Sequence, residues 1–385
     1  MKILMTGFLP PDLSLIKGGV ISVIRILLES FRGIPGLEVC HLSFNREVEV
    51  MKTEHHAPNI KLIFIPYKSN FDLIDYLLNR KKLNSIIEQE QPDLIHIQEI
   101  TPQLLRFLHL DRTKIVVTQH GVMKQELKYA DNLSLKLKGY FKALVEKFIF
   151  PLFPNVIFIS NYNRKLFYGK LNHQEIILNP INRNFFSENQ PSGDPNSLLM
   201  VAAFCERKNP ELILSALAEL KKYNAFCRLH LAGGFKNKRY EKFIHRRVMA
   251  LGLSDQIIFH GWCSSKKIQE LMYQCAVFIL PSRQETLPVV IGEAMATGRA
   301  ILAADVGAVS EMFTDGKSGL LFPDNDKEAL VAALKMILFD PSFRIRLSKN
   351  AISEAQEKFH PDHIAAKTLR FYERINQKQA FSVNA

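Results

Sequence analysis

The sequence alternates short apolar runs with longer stretches of helical periodicity, and it does so twice along its 385 residues. Apolar runs of this length, bounded by Gly, Pro or polar residues, are typical of strands buried on both faces. Strands that alternate with helices favour a parallel sheet, with ligands bound beyond the carboxyl ends of its strands. The sequence therefore predicts an α/β fold.

The predicted elements fall into two similar sets. The first half predicts strands at 2–8, 38–44, 60–65, 93–98, 114–119 and 155–160, and helices at 20–31, 71–89, 102–108 and 133–150. The second half predicts strands at 197–201, 226–232, 256–262, 276–280, 300–304 and 319–322, and helices at 210–222, 240–251, 265–275, 288–297, 326–338 and 342–358. Residues 179–196 between them are rich in Pro, Asn and Ser, which is a linker composition. Because 385 residues exceed one ordinary core, we predict two doubly wound, Rossmann-like domains.

Composition excludes several classes of protein. The chain is 47% hydrophobic and 23% charged, as in globular proteins. Its amino terminus resembles a first strand more than a signal peptide, and no long uninterrupted apolar run occurs, so we expect a soluble cytoplasmic protein. The five cysteines form no C-x-x-C pair, which predicts reduced core thiols. Neither a G-x-G-x-x-G fingerprint nor a P-loop is present.

The net charge of +12 favours an anionic partner. Basic residues are concentrated in the predicted helix at 133–150 and just beyond it, where Glu146 is the single acid up to Gln174. Apolar side chains recur there at helical spacing: Leu133, Leu137, Tyr140, Phe141, Leu144 and Phe148. One interpretation is a basic amphipathic helix that binds an anionic membrane surface. The other is a core-facing helix with a solvated lysine face.

The chemistry is predicted to centre on residues 281–308. A buried strand ends at Pro281, Pro288 suits a first helical turn, and Gly298 suits a helix end. Such a strand–loop–helix unit directs backbone N–H groups and the positive end of a helix dipole at an anion. Glu285 lies in the loop, and Glu293 lies on the helix.

Two weaker signals lie outside this stretch. Gly18 and Gly19 follow the first strand and precede a helix, where glycines let backbone approach a ligand closely; an ordinary loop is the alternative. Asp324 and Asp326 mimic the D-x-D of metal-dependent sites, but their position before a helix predicts an N-cap. We therefore expect no required metal and no cofactor.

Taken together, these features resemble the family 4 glycosyltransferases of the two-domain GT-B fold. The resemblance is strongest at Pro281-Ser282, Glu285, Pro288, Glu293-Ala294-Met295-Ala296, Gly298, Asp305-Val306-Gly307 and Glu311, which includes the E-x7-E spacing. Weaker matches are Gly18-Gly19, Asp93-Leu94-Ile95-His96, Thr118-Gln119-His120-Gly121, Asn179-Pro180 and Lys208-Asn209. The resemblance implies an acceptor-side domain at 1–182, a donor domain at 183–360 and a helix at 361–377 that crosses back to the first domain.

The resemblance also implies roles for individual residues. Lys208, the amides near Thr286 and Leu287, and the Gly18-Gly19 turn would face the diphosphate of a UDP-, GDP- or ADP-linked sugar. Glu293 would accept hydrogen bonds from the ribose hydroxyls. Glu285 and His120 would lie beside the donor sugar as catalytic groups. His96 is interpreted as a core residue.

One position departs from the family pattern. The family usually has an arginine five residues before the lysine to pair with the diphosphate, and here Ala203 stands there. Arg207 and Arg183 are candidate substitutes, although adjacent residues such as Arg207 and Lys208 generally point apart on a strand or loop.

The resemblance implies a retaining hexosyltransferase that acts on a glycan, polysaccharide-precursor or lipid-linked acceptor in cell-surface glycan biosynthesis, at the inner membrane face if the basic helix binds lipid. A nucleotide-sugar epimerase and a catalytically weak GT-B partner subunit are the alternatives, the latter motivated by Ala203. Nucleic-acid binding is not expected, because no recognised motif interleaves the charge with aromatic residues.

Overall fold

The computed structural model describes residues 1–13, 18–67, 72–98, 102–129, 133–167, 169–186, 193–223 and 226–383. Residues 187–192 of the predicted linker lie outside the described residues. The chain divides into two compact units by backbone contacts. Unit 1 comprises Met1–Pro180 and Pro361–Ala385, and unit 2 comprises Ile181–His360. The final helix thus belongs to unit 1 although it follows unit 2 in sequence.

Unit 1 contains eight strands within the described residues. They are β1 (Lys2–Thr6), β2 (Glu38–Asn45), β3 (Lys52–Ala57), β4 (Ile60–Pro66), β5 (Leu94–Ile97), β6 (Ile115–Gln119), β7 (Asn155–Phe158) and β8 (His173–Ile176). Its α-helices before the linker are α1 (Gly19–Phe31), α2 (Asp72–Glu90), α3 (Met123–Glu126), α4 (Leu133–Phe148) and α5 (Asn161–Lys165).

Unit 2 repeats the alternation. Its strands are β9 (Asp194–Val201), β10 (Arg228–Ala232), β11 (Ile257–Gly261), β12 (Cys275–Leu280), β13 (Ala300–Ala304) and β14 (Leu320–Phe322). Its helices are α6 (Pro210–Leu220), α7 (Lys238–Ala250), α8 (Ser265–Gln274), α9 (Val289–Ala296), α10 (Val309–Met312), α11 (Lys327–Phe339) and α12 (Pro341–Phe359). The last helix, α13 (Pro361–Val383), returns to unit 1 and packs on α1.

Each unit is built around one predominantly parallel sheet. The order in unit 1 is β3-β4-β2-β1-β5-β6-β7-β8, and only β3 is antiparallel to its neighbour. The order in unit 2 is β11-β10-β9-β12-β13-β14, and every pair is parallel. The carboxyl ends of parallel strands meet at one edge, so the loops after β9, β10, β12 and β13 share an edge of the unit 2 sheet. The predicted two-domain α/β fold is confirmed.

Side-chain N-caps mark the start of five of the described α-helices. Side chains of Ser160, Asn237, Ser264, Asp326 and Asp340 accept hydrogen bonds from backbone N–H groups in the first turns of α5, α7, α8, α11 and α12. The predicted N-cap at Asp326 is therefore confirmed, because its carboxylate accepts from the Ala329 N–H at 2.9 Å.

The sequence missed two strands and the three short helices α3, α5 and α10, and it misjudged one helix. β3 and β8 are polar edge strands, so neither has the apolar run on which a strand was predicted. The helix predicted at 102–108 is a 3₁₀ helix, Pro102–Phe107. Helix α13 extends to Val383, beyond its predicted end.

The apolar side of α4 corrects one interpretation. Its exposed apolar side chains lie one above the other at helical spacing: Leu137, Tyr140, Phe141, Leu144 and Phe148, each between 45% and 62% exposed. Val145, which flanks this stripe next to Phe141 and Phe148, is buried. The interpretation that this apolar stripe faces the core is therefore wrong. No helix within the described ranges is long and apolar enough to cross a membrane.

Candidate active site

Two adjacent cations converge on one buried carboxylate in unit 2. The loop after β9 forms the 3₁₀ turn Glu206–Lys208, and Glu285 lies in the loop after β12 with 6% of its surface exposed. Lys208 Nζ donates to Glu285 Oε1, and Arg207 Nη1 lies 3.5 Å from Glu285 Oε2. The expectation that Arg207 and Lys208 point apart is wrong, because in a 3₁₀ turn consecutive side chains diverge less than on a strand.

The charges around Glu285 keep it ionised. Burial acts to raise the pKa of the Glu285 carboxyl. The charges of Lys208 and Arg207, with the hydrogen bond from Lys208, outweigh burial and leave the pKa below its ordinary value of 4.5. Glu285 is therefore a carboxylate at neutral pH, and it partly neutralises the two cations.

Backbone contacts hold the two loops together. The Arg283 N–H donates to the Arg207 carbonyl at 2.9 Å, and Arg207 Nη1 donates to the Gln284 carbonyl at 2.6 Å. The Arg283 guanidinium also donates to Asn209 Oδ1 at 3.2 Å and lies 3.3 Å from Glu211. The position of Arg207 beside Glu285 is thus fixed from both the backbone and the side chain.

A glycine in the loop after β13 lies against the carbonyl of Glu285. Gly307 has φ +60°, and a Cβ built on it would lie 1.6 Å from the Glu285 carbonyl oxygen. Only glycine permits this approach without moving one of the two loops. The Asp305-Val306-Gly307 motif therefore supports the loop that carries Glu285.

The start of α9 presents backbone N–H groups, as predicted. Pro288 is the N-cap, so the helix begins one residue later than expected, and Gly298 follows its end at φ +73°. Within the described part of the chain, the N–H groups of Thr286 and Leu287 donate no hydrogen bond. These amides lie in the loop that joins Glu285 to the positive end of α9.

Glu293 lies on α9, eight residues after Glu285 in the sequence. Burial raises the pKa of its carboxyl from 4.5 to about 7. The Glu293 carboxylate has no hydrogen-bond or ion-pair partner among the described residues. It is thus an acceptor that is partly removed from water and has no protein donor.

The unit 1 candidates lie at the carboxyl ends of β1 and β6. Gly18 is the N-cap of α1 with φ 127° and ψ 150°, a conformation that L side chains rarely adopt, and Gly19 begins the helix. His120 follows β6, and its Nε2 lies 2.9 Å from Gln98 Oε1. Burial lowers the pKa of His120 to about 4, although the nearby Asn179 side chain acts to raise it, so its imidazole is neutral at physiological pH.

Sequence reasoning missed several residues that support the site. Gln98 contacts His120, and Arg283 links the loops after β9 and β12. His96 is buried as expected, and it is also hydrogen-bonded to Gln98, Thr118 and Tyr372. The one available signal was the position of Gln98 and Arg283 just after buried strands. Arg183 lies exposed in the 3₁₀ turn Arg183–Phe185.

A metal site needs several ligating side chains gathered at one point. Across the described ranges, no group of three or more His, Cys, Asp and Glu residues gathers as a metal site would require. Asp326 accepts from a helix N–H, as described above, and the α11 N-cap accounts for its position.

Comparison with known proteins identifies the class. The sequence profile "Glycosyl transferases group 1" matches residues 182–354, and the profile "Glycosyltransferase Family 4" matches residues 18–185. An uncharacterized glycosyltransferase of Methanocaldococcus jannaschii is 24% identical over 98% of this chain and 99% of its own. A D-inositol 3-phosphate glycosyltransferase of Stackebrandtia nassauensis is 30% identical over 46% of this chain and 41% of its own.

Solved structures show the same fold. The sucrose-phosphate synthase of Thermosynechococcus elongatus superposes with a TM-score of 0.80 at 21% identity, covering 99% of each chain. Anabaena HepE, solved in complex with UDP and glucose, superposes with a TM-score of 0.71 at 18% identity over 100% of this chain and 99% of its own. Two Rossmann-like units with these neighbours define the GT-B fold. The chain belongs to glycosyltransferase family 4.

Proposed function

We propose that this chain is a retaining, metal-independent hexosyltransferase that uses a nucleotide-sugar donor. The convergence of Arg207 and Lys208 on Glu285 is the observation that carries the proposal. A nucleoside diphosphate leaving group gains negative charge as the sugar–phosphate bond breaks, while the sugar carbon becomes oxocarbenium-like. Two fixed cations beside one carboxylate match this separation of charge.

The donor is assigned to groups at the edge of the unit 2 sheet. Arg207, Lys208 and the amides of Thr286 and Leu287 bind the diphosphate, and Glu293 accepts from the ribose hydroxyls. These positive groups stabilise the leaving diphosphate where other enzymes use a metal ion. Support also comes from the neighbours, since Anabaena HepE was solved with UDP and with UDP-glucose.

Glu285 and His120 are the proposed catalytic groups. The Glu285 carboxylate lies beside the transferred sugar, where its charge favours a cationic transition state. His120 is neutral, so it acts as a hydrogen-bond partner of a hydroxyl and not as a cation. In unit 1, Gly18 and Gly19 give the α1 amides access to an anionic ligand.

Acceptor and location complete the proposal. We assign a glycan, polysaccharide-precursor or lipid-linked acceptor, as in lipopolysaccharide or other cell-surface glycan biosynthesis. The enzyme is cytoplasmic and binds peripherally to the inner face of the membrane. The exposed apolar stripe of α4, interleaved with Lys136, Lys142 and Lys147, favours an anionic lipid surface.

The alternative of a catalytically weak partner subunit has one observation in its favour. Ala203 replaces the usual arginine, which favours a catalytically weak GT-B partner subunit. Arg207 argues against it, because its guanidinium reaches the carboxylate that Lys208 also binds.

Thermal unfolding with UDP-, GDP- and ADP-hexoses tests the donor site. A ligand at one hundred times its Kd stabilises the folded state by about 2.7 kcal/mol. We expect one nucleotide class to stabilise the protein and the Glu293→Ala variant to lose most of the effect. Absence of stabilisation by every donor would refute the proposal. With the donor identified, NMR of the product tests retention at the anomeric carbon, and activity in EDTA tests metal independence.

A further inference from the structure

A buried chain of hydrogen bonds connects helix α13 with His120 inside unit 1. His120 Nε2 lies 2.9 Å from Gln98 Oε1, and Gln98 Nε2 lies 3.3 Å from His96 Nδ1. His96 Nδ1 lies 2.5 Å from the Tyr372 hydroxyl, and His96 Nε2 lies 2.7 Å from Thr118 Oγ1. Gln98 and Tyr372 are 0% exposed and His96 is 1% exposed. Water therefore has little access to the polar atoms of this chain.

In this structure the Gln98 amide directs its oxygen at His120 and its nitrogen at His96, and this orientation gives the direction of each hydrogen bond. The amide oxygen can only accept, so His120 carries its proton on Nε2. The amide nitrogen lies 3.3 Å from His96 Nδ1, and the Tyr372 hydroxyl lies 2.5 Å from the same atom, so His96 Nδ1 is unprotonated and the two donors share its single lone pair. His96 then holds its proton on Nε2 and donates it to Thr118. Burial lowers the pKa of His96 to about 3, so this neutral form persists at physiological pH.

This arrangement leaves one ring nitrogen of His120 as an acceptor. With the proton on Nε2, His120 Nδ1 has a lone pair. This atom is buried, and it has no hydrogen-bond partner among the described residues. The Oδ1 atom of Asn179, whose side chain lies beside His120, also has no partner in hydrogen-bond geometry within the described part of the chain, so an Nδ1–H donated to this oxygen is the competing tautomer. A buried acceptor without a donor is costly, so a ligand hydroxyl that donates to Nδ1 would satisfy it.

We propose that Gln98, His96 and Tyr372 are positioning residues that hold His120 in the Nε2-protonated form, with Nδ1 directed to accept from a substrate hydroxyl. The proposal rests on the proposed function for the identity of that hydroxyl. The tautomer itself does not depend on it.

Tyr372 makes the final helix part of this arrangement. Its ring packs edge-on against His96, with centroids 5.5 Å apart, and lies 6.5 Å from the ring of Phe31 on α1. These ring contacts remain when the hydroxyl alone is removed. Helix α13 follows unit 2 in sequence but belongs to unit 1, so the orientation of His120 depends on the docking of the last segment of the chain.

Nitrogen-15 NMR of histidine-labelled full-length protein tests the tautomer without any substrate. The His120 signals are assigned by their loss in His120→Asn. In the wild type we expect shifts of a neutral imidazole with its proton on Nε2. In Tyr372→Phe we expect signal from the Nδ1-protonated form, because His96 loses a donor and the Gln98 amide can turn. Tyr140→Phe, on exposed α4, is the matched control and should leave the shifts unchanged.

Turnover supplies the second measurement. Misdirection of a functional group by about 1 Å can cost about a hundredfold in rate. We expect Tyr372→Phe to lower kcat at least tenfold while the KM for the nucleotide sugar changes less than about twofold. In Gln98→Glu, a carboxylate beside Nε2 should raise the pKa of His120 and move the acid limb of the pH–rate profile to higher pH.

Two results would overturn the proposal. One is an Nδ1-protonated His120 in the wild type; the other is a Tyr372→Phe variant with unchanged nitrogen shifts and unchanged kcat. Failure of every nucleotide sugar to bind, with the expected tautomer observed, would refute the proposed function and leave the assigned positioning intact.

Discussion

Lys208 donates a hydrogen bond to one oxygen of Glu285, while Arg207 lies 3.5 Å from the other. The buried carboxylate thus engages two cations that are adjacent in sequence. One negative charge does not neutralise two positive charges, so the cluster keeps a net charge of about +1 that favours a diphosphate. In the proposed function, a diphosphate that binds to the cations would leave Glu285 available to the hydroxyls of the sugar.

Arg207 is expected to take the role of the arginine that the family usually has at the position of Ala203. Arg207→Ala should weaken binding of a nucleoside diphosphate about ten- to a hundredfold, because it removes a hydrogen bond between charged groups. Adding Ala203→Arg should restore much of the affinity, and Arg183→Ala should have little effect. Isothermal titration calorimetry measures the three affinities. Wild-type affinity in Arg207→Ala would show that Arg207 does not bind the diphosphate.

Glu293 should make stability dependent on pH. Its pKa is raised from 4.5 to about 7, so the folded state holds this proton more tightly than the unfolded chain does. The stabilisation is complete below about pH 4.5 and is lost as the pH rises through about 7. We expect Glu293→Gln to be more stable than the wild type at pH 8, by up to about 3 kcal/mol, and the difference to shrink towards pH 5. Urea unfolding at several pH values measures the free energy of unfolding of both proteins. A difference between them that does not change with pH would contradict the raised pKa of Glu293.

Nucleotide binding should follow the same ionisation. Ribose hydroxyls donate more strongly to a carboxylate than to a neutral acid, so affinity should fall by up to about tenfold per pH unit below pH 7. The phosphates of the ligand also titrate, with a pKa of roughly 6. Glu293→Gln is the control for titration of the ligand, because the pH dependence of its affinity comes only from the phosphates. Identical pH profiles for the two proteins would exclude Glu293 as the titrating group.

Gly307 should be needed for the position of Glu285. Gly307→Ala places a methyl group 1.6 Å from the Glu285 carbonyl oxygen, whereas Gly316 has a similar φ of +71° and nothing within 4 Å of its Cβ position. Both alanine variants carry a left-handed strain of about 1 kcal/mol. We expect only Gly307→Ala to lose nucleotide binding and turnover. We also expect its unfolding temperature to lie well below that of the wild type. Equal effects of the two variants would assign the loss to backbone strain alone.

The sequence predicted those parts of the site that depend on local structure. Glu285, the start of α9 and Glu293 lie within one strand–loop–helix unit, so Pro288 and Gly298 sufficed to place them. The convergence of Arg207 on Glu285 was not predictable, because a 3₁₀ turn and a loop 78 residues away decide it. The bond between His96 and Tyr372 joins residues 276 positions apart. Contacts of this kind depend on how elements pack, which the periodicity of either segment does not encode.

The exposed stripe of α4 should bind anionic membranes. Phe141 and Leu144 are 45% and 53% exposed, and Lys142 lies between them. Apolar side chains enter the headgroup boundary while each lysine near the surface adds about 1 kcal/mol. We expect co-sedimentation with phosphatidylserine vesicles at low salt, reduced by salt and by Phe141→Glu with Leu144→Glu. Phe339→Glu alters a 58% exposed phenylalanine on α11 of unit 2 and should have no effect. Full recovery of the wild type in the supernatant would refute membrane binding.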